Sequence, residues 1–226
     1  MAIRRIDVCE KRAAENVKLA AEVRRRLAEH RTCALNLISA PGSGKTLLLE
    51  RTLERLGRHL EIAVVTGDAD AEADAARLAA CTGKLVQAVV PTEHGNDSHH
   101  LDARQMFAAL EQIDLERTDL ILIENAGTLA SPGWDLGEEA TVVLFSVCDG
   151  VNLPLEFPRA FRTAEYVVIN KTDLLTECEF DVERAQAHCL GINPGLRFFM
   201  MSALTGEGVR EWCTFLEAHA TDAVVA

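Results

Sequence analysis

The sequence predicts an α/β protein: a mostly parallel sheet flanked by helices, built around a phosphate-binding P-loop. Three observations predict it. The run from Ala34 to Leu49 passes from an apolar strand through Ser39-Ala40-Pro41-Gly42-Ser43-Gly44-Lys45-Thr46 into an apolar helical pattern, which is the layout of a P-loop. Apolar runs of strand length alternate with segments of helical spacing along the 226 residues. The polar motifs fall at the carboxyl ends of those runs, where a parallel sheet gathers its functional residues.

The elements follow in order. Residues 10–30 form an amphipathic leading helix, with apolar positions at helical spacing from Glu15 to His30; Arg24-Arg25-Arg26 reads as its solvated face. Behind the P-loop helix, Glu61–Thr66 is a second buried strand ending at Gly67-Asp68, and Ala69–Ala80 an acidic loop running into a helix. Leu85–Val90 is a further strand, and the polar stretch from Pro91 to His100 leads into a helix from Leu101 to Ile113. Thr118–Glu124, Ala140–Val147, Glu165–Ile169 and Arg197–Met201 complete the strands, and a last helix spans about Glu207 to His219. No internal repeat, low-complexity tract or linker divides the chain, so residues 1–226 are expected to form one domain.

Composition narrows the function classes. A formal net charge of −12 argues against nonspecific binding to nucleic acid or an anionic membrane. No apolar run is long enough to span a bilayer. The N-terminus turns charged at once, without a signal-peptide core, so a cytoplasmic protein is expected. Seven dispersed cysteines, Cys9, Cys33, Cys81, Cys148, Cys178, Cys189 and Cys213, read as reduced thiols in core or boundary positions rather than a disulfide framework.

The motifs carry the chemistry. In Pro41-Gly42-Ser43-Gly44-Lys45-Thr46, small residues let backbone N–H groups converge on a phosphate at a helix N-terminus. Lys45 would neutralise the β- and γ-phosphates, and the Thr46 hydroxyl would coordinate Mg²⁺. One departure is Ser39, which occupies the position of the usual first glycine. Asn170-Lys171-Thr172-Asp173 has the guanine-reading form Asn-Lys-x-Asp straight after an apolar strand. The Asp173 carboxylate would accept from the guanine N1–H and exocyclic amine, Asn170 would bond the base or brace the P-loop, and the Lys171 stem would cover the ring. Adenine lacks that donor pair and would leave the carboxylate unpaired. Ser202-Ala203 matches the second guanine loop, which contributes a backbone N–H to the base oxygen. Asp68 or Glu124 would hold Mg²⁺, directly or through water. Asp74 would orient the attacking water or join the Mg²⁺ shell. Lys45, Asp68 and Asp74 are thus the candidate catalytic residues, and Thr46, Asp68, Asp74 and Glu124 the candidate magnesium site. The sequence assigns no arginine as a transition-state finger; Arg77 is one candidate.

Together with the P-loop and the Asn-Lys-Thr-Asp motif, several stretches resemble the hydrogenase nickel-incorporation GTPases, the HypB family. They are Gly67-Asp68 with Asp74-Ala75-x-Arg77, His100-Leu101-Asp102-Ala103, Glu124-Asn125-x-Gly127, Asp135-Leu136-Gly137-Glu138, Pro154-Leu155-x-Phe157-Pro158 with Phe161-Arg162, Asn193-Pro194-Gly195 and Thr205-Gly206-Glu207-Gly208. The resemblance covers about residues 10 to 215. It implies the SIMIBI-class G domain, a slow switch-like GTPase, a GTP-dependent homodimer and assistance with nickel delivery to [NiFe]-hydrogenase large-subunit precursors alongside other maturation proteins.

The metal site departs from the family pattern, which carries a Cys-His pair before Leu-Asp-Ala and a second Cys before the later Pro. The matching positions here are His99, His100 and Ser131. His99 and His100 are therefore the candidate metal ligands; imidazole suits Ni²⁺ or Zn²⁺, but two ligands per subunit are weak unless a dimer pools them. The alternative is a polar switch loop without metal. Three other functions stay open: an accessory GTPase for urease or a cobalamin enzyme, a nucleotide-gated metal-binding scaffold, and an ATP-dependent small-molecule kinase.

Overall fold

Among the described residues, seven parallel strands form one sheet, whose order across the sheet is third, second, fourth, first, fifth, sixth and seventh along the chain. The computed structural model describes residues 2–67, 77, 78, 80, 87–89, 101–125, 129, 130 and 133–225, with backbone alone at 2–11, 87–89 and 222–225. The strands are β1 (Cys33–Ser39), β2 (Ile62–Thr66), β3 (Gln87–Val89), β4 (Leu120–Glu124), β5 (Ala140–Ser146), β6 (Tyr166–Asn170) and β7 (Arg197–Met200). The helices are α1 (Ala2–His30), α2 (Lys45–Leu56), α3 (Ala103–Leu110), α4 (Leu153–Glu156), α5 (Pro158–Thr163), α6 (Val182–Ile192) and α7 (Val209–Val225).

Both faces of the sheet are covered, which is why β1, β2, β4 and β6 are buried along their whole length. On one face Leu35, Leu37, Val64, Leu122, Val142 and Val168 pack under α2 and α7. Trp212 of α7 is fully buried there, edge-on to Phe199 at 5.4 Å, and its indole N–H donates to the Thr52 hydroxyl at 3.0 Å. A buried indole needs such a partner. The other face has two separate apolar patches. Val23 and Leu27 of α1, with Met106 and Leu110 of α3, cover Val65, Ile121 and Ile123. Phe161, Ala185 and Cys189 of α5 and α6 cover Val143, Phe145, Val167 and Ile169. The strand β1 runs between them, and its face there carries the buried polar residue Asn36.

Chain order turns about β1. From it the chain crosses to β2 and β3, returns through β4, then continues on the other side through β5, β6 and β7. The crevice at the carboxyl end of β1 is therefore the topological switch point, where open α/β sheets place ligands.

Several boundaries differ from the sequence reading. The leading helix begins at Ala2 rather than residue 10, and the last one spans Val209–Val225. The helix expected from Leu101 to Ile113 is confined to Ala103–Leu110, because Asp102 caps it by accepting from the Arg104 and Gln105 amides while the Gln105 side chain bonds back. Of Ala69–Ala80, residues 77, 78 and 80 are described, and they are helical. The reduced-thiol reading is corrected for one pair: Cys148 and Cys178 form a disulfide. They lie 30 residues apart, but each follows the end of one of the adjacent strands β5 and β6, which brings their Cα atoms to 5.4 Å. Cys33, Cys189 and Cys213 are free and buried.

Candidate nucleotide site

The loop between β1 and α2 closes on itself before any ligand is considered. Ser43 donates its amide and its hydroxyl to the Ala40 carbonyl, at 3.3 and 2.7 Å. Gly42 and Gly44 have φ of 71° and 95°, the left-handed region that glycine adopts without a Cβ penalty. Ser39 is the last residue of β1, paired with Leu144, and is not among the residues with positive φ. A glycine is not required there, which accounts for the one departure from the usual P-loop pattern. The loop lines a cleft of about 440 Å³ made by residues 39–47 and Arg77.

At its floor, Lys45 is buried and donates its ammonium to the Asn125 carbonyl, with the Glu124 carboxylate 3.9 Å away. The Thr46 hydroxyl donates to Glu124 Oε1 at 2.9 Å. Glu124 is buried completely at the end of β4, in register with Thr66 of β2. The Thr66 hydroxyl is also buried and has no hydrogen-bond partner among the described residues. This all-oxygen donor set around a fully desolvated carboxylate fits a hard divalent cation such as Mg²⁺. A buried carboxylate is otherwise stable only with cationic or donor neighbours, which Lys45 and Thr46 supply here.

The second half of the site comes from the ends of β6 and β7. Asn170 donates from Nδ2 to the Ser43 carbonyl at 2.8 Å and accepts at Oδ1 from the Ala203 N–H at 3.0 Å. A Cβ on Gly44 would stand 2.6 Å from Asn170 Nδ2, so glycine at 44 also makes room for this contact. Lys171 holds a left-handed φ of 61°, and its ammonium reaches the Gly42 carbonyl at 2.7 Å. Asp173 sits in a 3-10 turn, Thr172–Leu174. Its Oδ1 is buried without a hydrogen-bond partner among the described residues, an acceptor waiting for a donor.

Ser202 and Ala203 follow β7. The Ser202 N–H goes to the Glu207 carbonyl and the Ala203 N–H to Asn170, so a base oxygen would share the latter. Arg77 is anchored by Glu50, as an ion pair and a second bond of 3.2 Å from Nη2. Asp68, Asp74, His99 and His100 lie outside the described residues. Among those described, no group of three or more His, Cys, Asp or Glu is arranged to hold a metal ion.

Sequence reasoning had given no role to Asn125, which receives Lys45, nor to the buried amides of Asn16 and Asn36. The signal available was weak: a single asparagine in an apolar strand, and one immediately after the acid that ends β4.

The family described as CobW/HypB/UreG, nucleotide-binding domain, matches residues 34–200. The hydrogenase maturation factor HypB of Azotobacter chroococcum mcd 1 is 42% identical over 204 residues, which are 90% of this chain and 65% of that protein. This chain thus spans about two thirds of that relative's length. The crystal structure of hydrogenase maturation factor HypB from Archaeoglobus fulgidus superposes with a TM-score of 0.82 at 39% identity, covering 92% of this chain and 99% of that one. That of HypB from Helicobacter pylori in complex with nickel gives 0.83 at 30% identity, covering 92% and 96%. With the family matched across residues 34–200 and the P-loop and Asn170–Asp173 seated at the ends of β1 and β6, the chain belongs to the CobW/HypB/UreG nucleotide-binding family.

Proposed function

We propose that this protein is a GTPase that assists nickel insertion into [NiFe]-hydrogenase, using nucleotide state as a switch. The observation that carries the reading is the unpartnered, buried Asp173 Oδ1 beside an asparagine that ties its loop to the P-loop. Guanine presents two adjacent donors to such a carboxylate, and adenine does not.

The β- and γ-phosphates would draw the Lys45 ammonium from the Asn125 carbonyl, while the loop amides and the positive end of α2 receive the remaining charge. Mg²⁺, bound by Thr46 and Glu124 with Asp68 or Asp74, would neutralise charge developing between the phosphates. Asp74 is the proposed residue for orienting water, and the turnover is proposed to be slow. His99 and His100 are the proposed ligands for nickel as cargo, pooled across a GTP-dependent homodimer. The hydrogenase large-subunit precursor and other maturation proteins are the proposed partners, in the cytoplasm. The relatives named as hydrogenase maturation factors favour the hydrogenase branch over accessory GTPases for cobalamin enzymes.

Phosphate release from GTP by the wild type and by Lys45→Ala tests the reading. Loss of turnover in the variant is expected; equal turnover in both proteins refutes the site.

A further inference from the structure

The Cys148–Cys178 disulfide joins a fixed turn to the segment that carries Asp173. Cys148 lies in the 3-10 turn Val147–Asp149, directly after β5. Asp149 pins that turn to the strand end, accepting from the Ser146 N–H at 2.7 Å and from the Ser146 hydroxyl at 3.0 Å. Cys178 closes the segment that begins at Lys171. Successive turn bonds run through it: Leu174 N–H to the Lys171 carbonyl at 2.9 Å, Leu175 N–H to Thr172 at 3.2 Å, and Cys178 N–H to Leu174 at 3.0 Å. Asp173 sits inside the first two of these turns. The segment is also held by the Thr172 N–H on the Met201 carbonyl and by Leu174, Leu175 and Phe180, which pack on the patch of Phe145 and Phe161. Loss of the disulfide would therefore loosen the segment without unfolding it.

Accessibility separates this pair from the free cysteines. Cys148 is exposed and Cys178 half-buried, whereas Cys33, Cys189 and Cys213 are buried. Access governs thiol–disulfide exchange. In the cytoplasm, the compartment proposed above, a disulfide is ordinarily transient, catalytic or sensing.

We propose that Cys148 and Cys178 form a reversible thiol–disulfide site, oxidised and reduced by a small-molecule thiol couple such as glutathione, that sets the affinity of the base-reading loop. The control of affinity rests on the guanine reading above; the exchange chemistry does not. A glutathione thiolate attacks Sγ of the exposed Cys148, forming a mixed disulfide and expelling the Cys178 thiolate. A second glutathione thiolate attacks the glutathione sulfur, forming oxidised glutathione and releasing the Cys148 thiolate. Two electrons pass from two glutathione thiols into the protein's S–S bond, and their two protons end on the cysteines. Oxidised glutathione drives the same steps backwards. In the disulfide form the turn around Asp173 is tied to the end of β5 before nucleotide arrives. In the dithiol form that order must be gained on binding, so GDP binds more weakly. Linkage is reciprocal, and bound GDP favours the disulfide by the same factor.

The test uses the full chain in buffers of stepped reduced-to-oxidised glutathione ratio, with and without GDP and Mg²⁺. After acid quench and alkylation, mass spectrometry reads the thiol fraction at Cys148 and Cys178 separately from the other cysteines. The pair should pass from dithiol to disulfide within the glutathione range. GDP should move that equilibrium toward disulfide by at least about fivefold, the low end of ordinary coupling, or about 21 mV for a two-electron couple. Calorimetry should give the disulfide form a Kd for GDP at least about fivefold lower than the dithiol form. Cys148 does not line the P-loop cleft, and Cys148→Ser should bind GDP like the dithiol form at every glutathione ratio. A pair that stays disulfide in excess reduced glutathione, or stays dithiol in excess oxidised glutathione, overturns the redox site. Equal GDP affinity of the two forms, or redox dependence that survives in Cys148→Ser, overturns its control of the loop and leaves the guanine reading standing. Absence of GDP binding in both forms overturns the guanine reading and the coupling with it, whatever the alkylation ratios show.

Discussion

Asn170 and Ser43 are separated by 127 positions in the chain and joined by one hydrogen bond of 2.8 Å, from the asparagine side chain to the P-loop carbonyl. With its other end on the Ala203 amide, Asn170 makes the phosphate loop and the base-reading loops a single unit. Asn170→Ala should leave two buried backbone groups unpaired and cost about 1–3 kcal/mol per group in denaturant unfolding. Asn170→Asp keeps the acceptor for Ala203 but sets a buried carboxylate against the Ser43 carbonyl, so it should cost at least as much as alanine.

Asp173 supplies the base specificity in this account. Asp173→Asn replaces an acceptor with a group that can donate, mismatching guanine and suiting a base with a carbonyl at the same edge. GDP affinity should drop by about a hundredfold or more, and xanthosine diphosphate should bind the variant better than GDP does. Competition against a fluorescent nucleotide reads both. An unchanged preference for GDP in the variant would remove Asp173 from the base site.

Gly137 stands where α1 crosses the loop before β5. At φ of 85° a Cβ there would lie 2.6 Å from the Ala20 carbonyl and 2.7 Å from the Val23 side chain. Gly137→Ala should therefore destabilise the protein by about 1–3 kcal/mol and raise exchange along α1. Gly191, in α6, has ordinary φ and open space for a Cβ. Gly191→Ala should stabilise by about 0.5–1 kcal/mol. Urea unfolding of the two variants gives opposite signs if the packing is as described.

The free cysteines make the fold sensitive to alkali. Burial pushes the Cys189 thiol up to about 12 and the Cys213 thiol to about 11, and burial together with Glu139 raises that of Cys33. The ordinary value is 9.0, so above it the unfolded chain loses protons that the folded chain keeps. Stability is then at its full value below pH about 9 and falls as pH rises toward 11–12. Urea midpoints between pH 8 and 11 should decline, and Cys213→Ala should lessen the slope. A flat profile would contradict the burial.

The sheet was legible in the sequence because each strand is an apolar run ending in polar chemistry. Ser39-to-Thr46 and Asn170-to-Asp173 marked their own positions by type and spacing. Other features left no periodic trace. The α6 helix buries only Ala185 and Cys189, too few for an apolar stripe. The short helices α4 and α5 lie around Pro154 and Pro158, residues that punctuate a chain as readily as they begin a helix. The buried amides of Asn16, Asn36 and Asn125 owe their place to contacts 24 to 119 positions away. Nothing local distinguishes them from surface asparagines. The Cys148–Cys178 bond is hidden for the same reason, since strand order, not spacing, brings the two together.

The central claim is that a guanine nucleotide occupies the crevice between the P-loop and Asp173. Calorimetric titration of the full chain with GDP and with ADP, in Mg²⁺, tests it most directly. The account requires GDP to bind with one site per chain and ADP at least about a hundredfold more weakly. Equal affinity for the two, or none for either, would contradict it.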